Sequence, residues 1–235
     1  MNAVSSEGGG RVPHALVTGV SSGIGAEIAS QLLALGWRVT GFSRGQPGQE
    51  HPALTHVPVD ISERGALAEA LLDLAPLDAL IHAAGILRVG TLGALDPENG
   101  KAMWRLHVDA AEQMIEATVA AMPEGARIVL IGSRTAAGSA GRAQYAATKA
   151  ALVGMARSFA IELAPRRITV NVIAPGATDT PMLQDPSRAS VTPKMPPMGR
   201  LVQPKEVASV AAFLLSDGAA SITGQQIVVC GGASL

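Results

Sequence analysis

The chain has 235 residues, enough for one large α/β domain with a core of its own. A formal charge of -1, with no basic cluster, excludes the electrostatic footprint of a nucleic-acid or anionic-membrane binder. Charged residues make up only 16%, against a usual share of about 25%, so either other subunits cover part of the surface or the chain is simply rich in Ala and Gly.

The elements follow in chain order. Residues 1–12 are Ser/Gly-rich without the apolar core of a signal peptide, and are expected to be a flexible tail before a single domain over 13–235. Residues 15–18 read as a short buried strand. Ile24, Ile28, Leu32 and Leu35 form a helical stripe that Gly36 ends. Residues 38–42 form the second strand. Residues 45–53 hold Gly, Pro, Gln, Glu and His without periodicity, a loop where many α/β folds place a helix. The third strand spans 56–60, a helix 66–74 and the fourth strand 79–82. A long helix is predicted over about 96–122, a fifth strand over 127–131, a second long helix over about 145–163 and a sixth strand over 169–173. Residues 181–200 carry five of the fifteen prolines and no clear period. A helix over 206–215 and a strand over 226–229 complete the chain. Strands alternating with helices point to βαβ units around a parallel sheet.

Between the first strand and first helix lies Thr18-Gly19-Val20-Ser21-Ser22-Gly23-Ile24-Gly25. Glycines there let the chain turn sharply and let a pyrophosphate approach backbone N–H groups, while the helix N-terminus adds partial positive charge. The spacing is T-G-x-x-x-G-x-G. With Asp60 after the third strand, Ala83-Ala84-Gly85 after the fourth, Ser133 after the fifth, Tyr145-Ala-Ala-Thr-Lys149 and Asn171-Val-Ile-Ala-Pro175-Gly176, it resembles the short-chain dehydrogenase/reductase family over nearly the whole chain. The resemblance implies a Rossmann-type doubly wound parallel sheet of about seven strands flanked by helices. It also implies an oxidoreductase that interconverts a ketone or aldehyde and an alcohol by hydride transfer.

Tyr145 and Lys149 are four apart on a helix and share a face. A phenol of pKa about 10 is a poor acid/base near neutrality; a nearby ammonium stabilises the phenolate and lowers that value. Tyr145 then exchanges a proton with the substrate oxygen, and Ser133 hydrogen-bonds the same oxygen as it becomes alkoxide-like. In the resembled family these three types hold those roles, and the lysine also binds the nicotinamide ribose. The family's fourth residue, an asparagine whose main-chain carbonyl holds a relay water, is replaced by His107. That histidine joins the catalytic set through its carbonyl, or packs between helix and sheet.

The cofactor set comprises Gly19, Ser21, Ser22, Gly23, Ile24 and Gly25 in the turn, and Ala83, Ala84 and Gly85 after the fourth strand. Asp60 and Ile61 match the adenine contacts, although Asp60 also suits capping the helix that begins near Ser62. Pro175, Gly176, Ala177, Thr178 and Thr180 resemble the segment that holds the nicotinamide carboxamide, and Tyr145 and Lys149 also touch the cofactor. Ser43 and Arg44 close the second strand where an acidic residue would select NAD; a hydroxyl and a guanidinium suit a 2′-phosphate, so NADP is expected over NAD. The substrate side is assigned to Ile86–Val89, residues 134–140 and a loop of about 177–200, in which Met182, Leu183, Met195 and Met198 mix with Arg188 and Lys194. The resemblance further implies a homo-oligomer, a tetramer or dimer, without nucleic acid or membrane as partner. The five histidines lack metal-ligand spacing, and His82 and His107 are expected to be neutral packing groups if they meet. Cys230, the lone cysteine, fits a reducing compartment, the cytoplasm. The alternatives are a weakly active nucleotide sensor or binding protein on the same fold, an NAD-dependent dehydrogenase, and double-bond reduction, epimerisation or dehydration.

Overall fold

Strands with aliphatic residues on both faces build one parallel sheet: β1 (His14–Thr18), β2 (Arg38–Ser43), β3 (Leu54–Pro58), β4 (Ala79–His82), β5 (Arg127–Ile131), β6 (Thr169–Pro175) and β7 (Gln226–Val229). Their order is β3-β2-β1-β4-β5-β6-β7. The computed structural model describes residues 11–184 and 194–235; the first ten residues of the tail, and residues 185–193 with Arg188, lie outside the described residues.

Parallel strands need crossovers, and crossovers of one hand put helices on both faces of the sheet. Neighbouring strand residues therefore serve opposite cores. Leu16, Leu80, Ile128 and Val170 pack with α2 (Arg64–Leu72), α4 (Ala110–Thr118) and α5 (Ala143–Leu163). Val17, Ile81, Val129 and Ile173 pack with α1 (Gly23–Ala34) and α6 (Pro204–Leu215). The chain winds one way from β1 to β3 and the other way from β4 onward. The β1/β4 boundary is thus a topological switch point, where the strand ends leave a crevice for a ligand. Among the described residues, no helix is long and apolar enough to cross a membrane.

Residues 45–53 form no helix, as the sequence indicates. The helix predicted over 96–122 is corrected. It consists of α3 (Pro97–Trp104), a π-helical turn (Arg105–Asp109), α4, and a 3-10 turn (Val119–Ala121). Asp96 caps its start by accepting from the Glu98 N–H. One wide turn inserts a residue without disturbing the apolar stripe on either side, so periodicity does not reveal it.

Candidate active site

The glycine turn sits at the switch point. Gly19 has φ 76, in the left-handed region that favours glycine, and a Cβ on Gly25 would lie 2.4 Å from the Gly19 carbonyl oxygen. Larger residues would push the start of α1 away from β1. Ser22, the N-cap of α1, makes no side-chain cap bond, and no acidic residue occupies the first turn. The free N–H groups and positive end of this helix therefore remain available to an anion. They border a cavity of about 690 Å³ lined by Gly19, Ser21–Gly25, Ser43, Arg44, Asp60, Ile61 and Ala83–Gly85. This cradle fits the pyrophosphate and adenosine half of a dinucleotide.

At its adenosine end the groups are tied to one another. Ser43 Oγ donates to the Gly45 carbonyl at 2.7 Å, so the Nε2–H of His56 donates to Ser43 Oγ at 3.0 Å. Arg44 lies 3.6 Å from Asp60 across an exposed ion pair. Asp60 Oδ1 accepts from both the N–H and the hydroxyl of Ser62, at 3.0 and 2.7 Å. Burial alone would raise the Asp60 carboxyl, but the Ser62 bonds and the Arg44 guanidinium outweigh it and hold the group below its ordinary value. Asp60 thus braces the turn into α2, whose N-cap is Glu63. Sequence reasoning passed over His56, because its contact with Ser43 is made across two strands.

A second cavity of about 680 Å³ brings together Ser133, Tyr145 and Lys149 with Pro175, Gly176, Ala177, Thr178 and Thr180. Ile24, Ala83, Gly85, Thr180 and Met182 line both cavities, so the two are continuous. Ser133 lies two residues past the end of β5 and caps a 3-10 turn; its Oγ accepts from the Thr135 N–H at 3.2 Å and pairs with the Thr135 hydroxyl at 2.8 Å. Tyr145 and Lys149 stand on one face of α5, with Lys149 Nζ 5.8 Å from the centre of the Tyr145 ring. Lys149 Nζ donates to the Ile131 carbonyl at 2.8 Å, and burial pulls its pKa down to about 7.

Beneath Lys149 lie two histidines whose bonds fix their tautomers. Thr18 Oγ1 accepts from the N–H groups of Ala83 and Ala84, so its hydroxyl proton goes to His82 Nδ1 at 3.0 Å. His82 Nε2–H then donates to the Leu106 carbonyl, in the π turn, at 3.1 Å. His107 is the reverse. Its Nε2 accepts from the Ile86 N–H at 3.1 Å, so Nδ1–H donates to Thr148 Oγ1 at 2.9 Å, and that hydroxyl donates to the Tyr145 carbonyl. Burial first, and then the Lys149 charge, lower the pKa of both, that of His82 to about 3. Both rings are neutral near pH 7. His107 is fully buried and borders neither cavity; its ring edge packs on Tyr145, centroids 5.6 Å apart. Through these bonds it joins the Gly85–Ile86 turn to the start of α5.

Residues 19–234 match a family model described as enoyl-(acyl carrier protein) reductase. The chain is 36% identical over 234 residues to the 3-oxoacyl-[acyl-carrier-protein] reductase FabG of Salmonella typhimurium, covering 93% of this chain and 96% of that protein. It is 34% identical over 238 residues to the 2,3-dihydro-2,3-dihydroxybenzoate dehydrogenase of Escherichia coli, with the same coverage. Among solved structures, a short chain dehydrogenase from Burkholderia cenocepacia in complex with NADP superposes with TM-score 0.87 at 32% identity, covering 95% of this chain and 98% of that one. A 3-ketoacyl-(acyl-carrier-protein) reductase from Brucella melitensis complexed with NADH superposes with TM-score 0.84 at 30% identity, with the same coverage.

Proposed function

The chain belongs to the short-chain dehydrogenase/reductase family, and from that premise we propose how its residues carry out nicotinamide-dependent oxidoreduction of a C=O/CH–OH pair. The observation that carries the reading is the convergence of Ser133, Tyr145 and Lys149 on a cavity continuous with the glycine-turn cradle. Bound across both, a reduced nicotinamide dinucleotide supplies the hydride and its two electrons to the carbonyl carbon. Tyr145 gives its phenolic proton to the carbonyl oxygen as the alkoxide forms, and retrieves it in the oxidation direction. Ser133 Oγ–H turns from Thr135 to the same oxygen, while Thr135 holds the serine from behind. Lys149, as the ammonium, stabilises the tyrosinate. The Ile131 carbonyl restrains that ammonium. Gly85 makes room for this packing: a Cβ there would lie 3.2 Å from His107 Nε2 and 3.7 Å from Lys149 Nζ.

NADP is the cofactor this site suits better. The Asp60 contact engages one nitrogen of Arg44, which leaves further guanidinium donors for a 2′-phosphate beside the Ser43 hydroxyl. Pro175, Gly176, Ala177, Thr178 and Thr180 border the catalytic cavity, which supports their assignment to the nicotinamide carboxamide. The partner is a small carbonyl or alcohol. The exposed Trp104, Ile161 and Val228, on α3, α5 and β7, support a homotetramer or homodimer. The lone Cys230 supports a cytoplasmic setting. Reduction of a ketone and diketone panel, followed through NADPH and NADH consumption, tests the reading. Turnover with a lower KM for NADPH is expected. No turnover with any carbonyl would defeat the assigned chemistry, and equal use of both cofactors in wild type and Arg44→Ala would defeat the NADP assignment.

A further inference from the structure

Ser133 and Thr135 place a pair of hydroxyls at the wall of the catalytic cavity, with oxygens 2.8 Å apart and both residues buried. A hydroxyl has one proton and two acceptor lone pairs, so the direction of each bond in the pair can be assigned. Ser133 Oγ already accepts from the Thr135 N–H at 3.2 Å. When its own proton faces the substrate oxygen, the 2.8 Å contact is kept by the Thr135 O–H, the other group able to donate along it. Both lone pairs of Ser133 are then filled from Thr135, and the serine can only donate into the cavity. Thr135 is left with the complementary part. Its proton is held by Ser133, and among the described residues no group donates to its Oγ1. Thr135 is only 6% exposed, so an acceptor left unfilled there costs free energy until a donor arrives.

The pair therefore offers one donor and one acceptor side by side. Arg134, Arg142, Lys149 and Lys194 line the same cavity, but as cations they donate and do not accept. No Asp or Glu is among the described lining residues. An acceptor for a substrate hydroxyl beside Ser133 is thus a neutral hydroxyl, and Thr135 is the one in contact with that serine. Leu87, Leu183, Met195 and Pro197 give the wall an apolar stretch.

We infer that the substrate is an apolar ketone or aldehyde with a hydroxyl on the carbon next to its carbonyl, and that Thr135 recognises this hydroxyl. The carbonyl oxygen accepts from Ser133 and Tyr145, while the neighbouring hydroxyl donates to Thr135 Oγ1. Two oxygens on adjacent carbons, turned to one side, lie about as far apart as two hydrogen-bonded hydroxyls, so one substrate can span the pair. The carbonyl carbon takes a hydride from the reduced nicotinamide and the carbonyl oxygen takes the Tyr145 proton. The hydroxyl is unchanged, so the product is a vicinal diol. This orientation rests on the carbonyl-reductase reading, whereas the hydroxyl site itself rests on the Ser133–Thr135 contact.

Two measurements test it on the full-length protein. In the first, kcat/KM with NADPH is compared for 2-hydroxyacetophenone, 2-methoxyacetophenone and propiophenone. The methoxy ketone keeps the electron-withdrawing oxygen but has no O–H, and propiophenone has the shape of the hydroxy ketone without that oxygen. The hydroxy ketone is expected to exceed both by about three- to tenfold, the range of one net hydrogen bond. Thr135→Val is expected to shrink both ratios by that factor, and Thr135→Ser to keep them. Melting temperatures establish that the variants are folded, and Thr135→Ala serves where the valine variant does not fold. In the second, 1-phenyl-1,2-ethanediol and 1-phenyl-1-propanol are titrated calorimetrically into the enzyme saturated with NADPH, where neither can be oxidised. The diol is expected to bind more tightly, with a margin that disappears in Thr135→Val. A lower kcat/KM for the hydroxy ketone than for propiophenone, equal or weaker binding of the diol, or unchanged ratios in the folded variant would each overturn the inference. Tighter diol binding that is lost in Thr135→Val, without turnover of any ketone, would instead overturn the Tyr145 reading and uphold the hydroxyl site.

Discussion

The two ends of the crevice handle charge in opposite ways. At the adenosine end Arg44 and Asp60 are exposed and paired across 3.6 Å, and the serine, histidine and carboxylate are tied into a turn. At the catalytic end Lys149, His82 and His107 are buried, the histidines are kept neutral, and described carboxylates are absent from the wall. Solvent screens the first arrangement, so its members contribute little each and tune which dinucleotide binds. Low dielectric amplifies the second, so each group there is strongly coupled to the chemistry or to the fold. Selectivity is set where charge is cheap to change, and reactivity where it is not.

The largest effect expected to separate the two ends is that of Tyr145→Phe. Removing the proton donor should lower kcat by about 10²–10⁴, with the dissociation constant for NADPH nearly unchanged by fluorescence titration. Ser133→Ala follows, with a loss of about 10²–10³ in kcat, the scale for one donor to a developing oxyanion. A loss at Arg44 as large as either would erase the contrast.

His107 sharpens the comparison from within the buried end. His107→Leu strands the Ile86 N–H and removes the donor to Thr148 Oγ1, whose hydroxyl keeps its bond to the Tyr145 carbonyl, and should destabilise the fold by about 1–3 kcal/mol in urea unfolding. His107→Asn keeps a donor at the place of Nδ1 for Thr148, and should lose less stability than the Leu variant and keep turnover. A collapse of turnover in a folded Asn variant would mean that imidazole has a chemical role of its own.

The pH dependence of stability should follow from the buried groups. For His82 the folded pKa, about 3, lies below the usual 6.5, so between those values the unfolded chain binds more protons. Stability is therefore full above pH 6.5 and is lost as pH falls toward 3. For Lys149 the folded pKa, about 7, lies below 10.5, so without cofactor stability rises as pH climbs from 7 toward 10.5. In melting curves Lys149→Met should lack that alkaline rise, and His82→Asn should lose less stability in acid. Parallel pH profiles for wild type and both variants would contradict the burial argument.

The smallest effect is expected at the exposed end. Arg44→Ala should raise KM for NADPH by about tenfold, the value of one partly screened charge-assisted bond, while KM for NADH stays within about twofold.

Much of the fold was legible because buried parallel strands read as short apolar runs. The bounds of β4, β5 and β7 agree with the sequence reading to the residue, and the helix ends mostly differ by one or two positions. The π turn at Arg105–Asp109 was not legible, since an added residue leaves the apolar stripe intact. Ser133, Tyr145 and Lys149 were nameable from order and spacing, whereas Thr135, His56 and the Thr18–His82 bond depend on contacts between distant strands and turns. The arginines of the cavity wall were the least legible of all. A charged residue in a loop reads as a solvated one until the fold shows Arg142 buried beside Tyr145.

Hydride is expected at a carbonyl carbon whose oxygen Tyr145 serves, in a chain whose matching family model is described by an enoyl reduction. The most direct test gives the enzyme a 4-oxo-2-alkenoate, which offers both a carbonyl and a conjugated double bond, with NADPH deuterated at the transferring position. Deuterium at the carbinol carbon of an allylic alcohol is the predicted result; deuterium on a saturated carbon of a retained ketone would contradict it.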